Sequence, residues 1–113
     1  MLFSDHLDAA TFDELKEIME EDFVVLLETY LMDSDAKLLA LKDAFEQKEL
    51  EVIREVSHGF KGSSLNIGAH PLAGICAKIE DYSREEKLDE ALALLPEVVA
   101  EFQNVRTFIA EKI

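Results

Sequence analysis

Apolar residues recur at steps of three and four along nearly the whole chain, and this periodicity limits the fold more than any other feature. Phe23, Leu26, Leu27, Tyr30, Leu31, Leu38, Leu41 and Phe45 form one such series. That spacing gathers side chains into one stripe of an α-helix, not onto one face of a strand. With four glycines and two prolines in 113 residues, the chain has little material for the many turns of an all-β fold. Hydrophobic residues make up 49%, enough to drive a core to form. The length fits one domain over residues 1–113, and the expected class is all-α.

Caps and breakers set the expected helix ends. Thr11, with Glu14 three residues on, has the form of a capping box and predicts a short helix carrying Leu15, Ile18 and Met19. A longer helix is predicted from about residue 21 to about residue 47, and it can kink or split at Asp33-Ser34-Asp35, which favour caps over interiors. A third runs from about residue 49 to about residue 67, with Gly68 suited to the left-handed position after its end. A fourth starts at His70-Pro71, where proline is tolerated, and points Leu72, Ile75, Cys76, Ile79 and Tyr82 inward. Residues 83–88 read as a charged connection, and Asp89 as the cap of a last helix reaching about residue 112. Leu92, Leu95, Val98, Val99, Phe102, Val105 and Ile109 share one face of it, and Pro96 predicts a kink or a helix start. Together these imply an antiparallel up-down four-helix bundle with a short additional N-terminal helix over one end.

Lys and Arg number 11 against 25 Asp and Glu, a formal net charge of −14. Such a charge repels nucleic acid and anionic lipid, so neither is expected as a partner. No stretch of about 18 apolar residues offers a membrane span. The opening Met1-Leu2-Phe3-Ser4-Asp5-His6 lacks the basic-then-apolar pattern of a secretory signal. The single cysteine, Cys76, cannot form an internal disulfide or a four-cysteine zinc site. The expectation is a cytoplasmic monomer with no intrinsic cofactor or metal. The charge is also uneven. Residues 1–35 carry a net −10, whereas residues 52–79 carry a net +2.

The third helix holds the candidate site. Placing residues at about 100° steps from Ile53 puts Val56, Phe60, Ser64 and Ile67 within about 60° of it, toward the core. His58 falls about 140° away and Gly62 about 180° away, both facing outward. Leu65, Arg54 and Lys61 fall between about 80° and about 120°, near the same open side. Gly59 and Gly62 each weaken a helix interior by about 1 kcal/mol relative to Ala, which asks for a reason. An exposed imidazole is mostly a neutral nucleophile near pH 7 and accepts a phosphoryl group on a ring nitrogen. Lys61, one turn on, reaches phosphate oxygens, and Gly62 removes a side chain that would block an approaching protein. Ser63 and Ser64 point toward the core and serve close helix approach. His70 reads as a helix-start residue, His6 as a terminal surface residue and Cys76 as packed and inert. Glu55-Val56-Ser57-His58 also has the Glu-x-x-His form of di-iron bundles, but those sites need a second copy and two more inward glutamates.

The stretch His58-Gly59-Phe60-Lys61-Gly62-Ser63-Ser64-Leu65-Asn66-Ile67-Gly68-Ala69 resembles the signature of histidine phosphotransfer (HPt) domains, and looser similarity runs from about Leu15 to Ile109. It looks most like a standalone bacterial HPt protein. The resemblance implies a phosphoryl carrier in a multi-step two-component phosphorelay. Phosphate would pass from a receiver-domain aspartate of a hybrid sensor histidine kinase to His58, then to the receiver of a response regulator. Lys61 would stabilise the phosphoryl group and Gly62 would give docking clearance. Arg54, Gly59 and Leu65 would line the partner surface, and Glu80 would stand where some members orient the active histidine. Gly59 departs from the larger residue usual in the family. Mg2+ would belong to the partner receiver. No ATP-binding loop or kinase signature is present in the sequence, so a carrier is expected and not an autonomous enzyme. The alternative is a non-catalytic helical adaptor that binds a receiver or kinase without accepting phosphate.

Overall fold

The computed structural model describes residues 1–113, and all of its regular structure is helical. The helices are α1 (Ala9–Met19), α2 (Phe23–Glu46), α3 (Leu50–Asn66), α4 (His70–Arg84), α5 (Leu88–Ala93) and α6 (Leu95–Ala110). Two short 3-10 turns, Phe3–Asp5 and Glu20–Asp22, flank α1. Helices α2, α3, α4 and α6 form the antiparallel bundle, in which α3 makes its most extensive contact with α4. The molecule measures 42 × 24 × 19 Å, and α2, at about 1.5 Å per residue, runs most of its length. No helix is long and apolar enough to cross a membrane.

The core collects the stripes that the periodicity marks out. Leu27, Leu41, Ile53, Phe60, Leu72, Ile79, Val98, Phe102 and Ile109 are all fully buried. Phe60 of α3 meets Phe102 of α6 edge-on, with ring centroids 5.9 Å apart. The N-terminal segment closes one end: Leu7 is buried, and Phe3 packs edge-on against both Phe12 and Phe108.

Several expected details are corrected. The first helix begins two residues before Thr11, with Asp8 as its N-cap residue, and Thr11 Oγ1 instead donates to Asp8 Oδ2 at 2.5 Å. Helix α2 does not break at Asp33-Ser34-Asp35, because Ser34 continues the inward series Tyr30, Leu38, Leu41 and is itself buried. On α3, Ser57 is fully buried and Val56 only partly, which turns the core direction slightly from the angular count. Ser57 tolerates this because its Oγ donates to the Ile53 carbonyl at 2.7 Å. Residues 83–88 are not one connection: α4 continues to Arg84, and buried Ser83 donates to the Ile79 carbonyl. Lys87, not Asp89, precedes α5, and the last helix divides at Leu94, so that Pro96 lies in the first turn of α6. Ala91 is buried there while Leu92 is exposed, and α6 ends at Ala110. His6 is no free surface residue either, since its ring stacks on Phe108 and its Nδ1 lies 2.7 Å from Glu101 Oε2.

Candidate functional site

The site grows from the α3–α4 contact. Ser57 and Ser64 on α3 and Ala73 on α4 are small and buried, and α3 meets α4 more extensively than it meets any other element. Ser64 is satisfied by the Tyr30 hydroxyl at 2.8 Å, and burial pushes that phenol up to about 12. After Ser64 the helix is stopped sharply. The Ala69 amide donates to the Ser64 carbonyl and the Gly68 amide to the Leu65 carbonyl, with Gly68 at φ 81°. This is a Schellman cap, and the left-handed position suits glycine. The turn sends α4 back along α3 and brings residue 80 opposite residues 58 and 61.

Glu80 is the centre of what results. It lies one helical turn beyond Cys76 on the buried side of α4 and is only 1% exposed. Its Oε2 lies 2.9 Å from His58 Nδ1, and its Oε1 accepts from Lys61 Nζ at 2.7 Å. Arg84, four residues on along α4, donates from Nη2 to the same Oε2 at 2.6 Å. Burial pushes the Glu80 carboxyl up, but the hydrogen bonds from Lys61 and His58 and the charges of Lys61 and Arg84 outweigh it. The net result holds the carboxyl below the usual carboxylate value, so it is an anion near pH 7. An anion only accepts, so Nδ1 of His58 carries the proton. In the neutral ring the lone pair is then on Nε2, and the His58 side chain is 62% exposed.

The remaining residues singled out in the sequence divide by position. Gly62 looks onto open space: a Cβ there would meet no atom beyond its own helix within 4 Å. Leu65 is exposed on the same helix. Gly59 instead faces α2, where a Cβ would lie 3.5 Å from Lys37 Cε, an ordinary contact. Arg54 is engaged by Glu51 one turn earlier. His70 is exposed at the start of α4, 3.9 Å from Asp8. Burial pushes the Cys76 thiol up to about 12, which suits a packed, unreactive side chain. Arg84 was not singled out by the sequence reading, although a glutamate four residues before an arginine is the signal that finds it. Glu55 is exposed, and no three His, Cys, Asp or Glu side chains lie close enough together to hold a metal ion. Glu80 has both oxygens taken by cationic or N–H donors, a setting unsuited to a divalent cation.

The family model of the Hpt domain matches residues 25–108, which include His58, Lys61, Gly62, Glu80 and Arg84. The chain belongs to the Hpt domain family. Among relatives of this HPt domain, the phosphorelay intermediate protein rdeA of Dictyostelium discoideum is 31% identical over 93 residues, 81% of this chain and 37% of that protein. The phosphorelay protein LuxU of Vibrio vulnificus is 32% identical over 76 residues, 66% of each chain. The HPt chain thus spans well under half of rdeA and just short of two thirds of LuxU. Among solved structures, histidine-containing phosphotransfer protein B from Pseudomonas aeruginosa PAO1 superposes with a TM-score of 0.93 at 36% identity, covering 95% of this chain and 93% of that one.

Proposed function

We propose that this HPt domain carries a phosphoryl group on His58 between receiver-domain aspartates in a phosphorelay. The observation that carries the reading is the exposed imidazole bonded through Nδ1 to a buried carboxylate, which leaves Nε2 facing solvent as the nucleophile. Family membership and the phosphorelay relatives support it. Nε2 attacks the phosphorus of an aspartyl phosphate, and the aspartate carboxylate leaves with its bonding electrons. Lys61 is near enough to follow the phosphoryl oxygens, and Gly62 leaves room for the partner's active site over α3. Arg54 and Leu65 flank that approach, and Gly59 brings α2 close to it. Mg2+ would be held by the receiver's carboxylates, since Glu80 is already saturated. Phosphoryl transfer relies on positioning and charge neutralisation, so most of the catalytic power belongs to the receiver. The partners are receivers of a hybrid sensor kinase and of a response regulator, met in the cytoplasm by a monomer.

The test is incubation with a phosphorylated receiver and Mg2+, followed by a search for acid-labile, alkali-stable phosphate. Label on wild type and none on His58→Gln is the expected result. Equal behaviour of the two, with receiver binding retained, would leave only an adaptor.

A further inference from the structure

A neutral amide at position 80 could accept from His58 and Lys61 much as a carboxylate does. Glu80 is nevertheless a full negative charge, buried behind the ring and aimed at Nδ1. That charge matters most after phosphorylation. When Nε2 bonds to phosphorus while Nδ1 keeps its proton, the ring becomes a cation. If Nδ1 then loses its proton, onward transfer must expel an imidazolide, a much poorer leaving group than neutral imidazole.

Resting on the phosphotransfer reading, we propose that Glu80 is a positioning residue that holds the Nδ1 proton of His58 through the whole transfer cycle. In the first step the Nε2 lone pair forms the N–P bond, the donor's O–P bond breaks, and its electron pair stays on the aspartate. The proton stays on Nδ1 beside Glu80 Oε2. In the second step the acceptor carboxylate forms the new O–P bond, and the N–P electrons return to Nε2. The ring leaves neutral, still protonated at Nδ1, so no proton enters or departs. The surrounding charges are Lys61 on α3, Arg84 on α4, Arg54 with Glu51 and Glu55 on α3, and Lys37 reaching Gly59 from α2. Asp81 shares Arg84 at 3.5 Å. The nearby cations oppose an added positive charge on the ring, and Glu80 is the anion in direct contact with it.

The experiment uses protein phosphorylated on His58 by a phosphoramidate donor or by a phosphorylated receiver. Onward transfer to a receiver with Mg2+ is then followed from about pH 6 to about pH 9. Wild type should transfer at a nearly constant rate. Glu80→Gln should match it at the acid end and fall about tenfold per pH unit once its ring loses the proton. Parallel profiles, including one lowered by the same factor at every pH, would overturn the proposal. A second measurement needs no variant: the ring 15N shifts of the phosphorylated wild type against those of N-phosphoimidazole. Nδ1 should stay protonated to higher pH in the protein, and titration in step with the free compound would also overturn it. If wild-type His58 takes no phosphate from either donor, the phosphotransfer reading itself fails, which is a separate result.

Discussion

At His58 one hydrogen bond decides which ring nitrogen keeps the free lone pair, and the partner in that bond is 22 residues away in sequence. Glu80 also links pH to stability. Its folded carboxyl is held below the ordinary value of 4.5, so its contribution is present above that value and is lost as pH falls through the folded one. The difference in unfolding free energy between wild type and Glu80→Gln, from urea titrations, should therefore shrink on acidification from pH 7 to below about 4. A difference that stays constant would contradict the depressed carboxyl. Gly62 allows a cleaner experiment, because a side chain there has room in the free protein. Gly62→Gln should leave the helical circular dichroism intact and slow transfer by at least about tenfold, by blocking the close approach that transfer requires. Transfer at the wild-type rate would remove Gly62 from the docking face.

At the scale of the helix, ends are where sequence reading and structure diverge. Three helices finish in the same Schellman pattern, at Lys48 after α2, Gly68 after α3 and Glu86 after α4. Only Gly68 could be recognised, because only there does the left-handed residue lack a side chain. Lys48 at φ 57° and Glu86 at φ 60° hold the same conformation against their Cβ atoms, so the sequence gives no mark of these turns. Lys48→Gly and Glu86→Gly should each stabilise the protein by about 0.5–1 kcal/mol, read as a shift in the urea midpoint. Destabilisation by either would show that the side chain has a contact worth more than the backbone relief. Gly68→Ala should act in the opposite sense, since φ is 81° and its Cβ would sit 3.0 Å from Thr11 Cβ.

For the molecule as a whole, a net charge of −14 on 113 residues opposes compaction. Raising NaCl from about 0.02 M to about 0.3 M should raise the thermal midpoint, because screening weakens that repulsion more than it weakens the buried Glu80 contacts. A midpoint that falls would mean that ion pairs outweigh repulsion. The N-terminal segment belongs to the same cooperative unit, with Leu7 buried and Phe3 against Phe108. Leu7→Ala should cost about 2–4 kcal/mol in one unfolding transition, whereas a separate early transition would show that the segment melts alone.

The three-and-four spacing of apolar residues was sufficient for the helical class, the bundle and the outward position of His58, because periodicity alone fixes which side of a helix a residue occupies. The twelve-residue stretch around His58 was sufficient for the family. Tertiary structure alone decided that Glu80 lies beneath the ring and that His6 is tied to α6. Those contacts depend on the distance and rotation between separate elements, which are set by how side chains from several of them pack into one core. No pattern within a single helix encodes that.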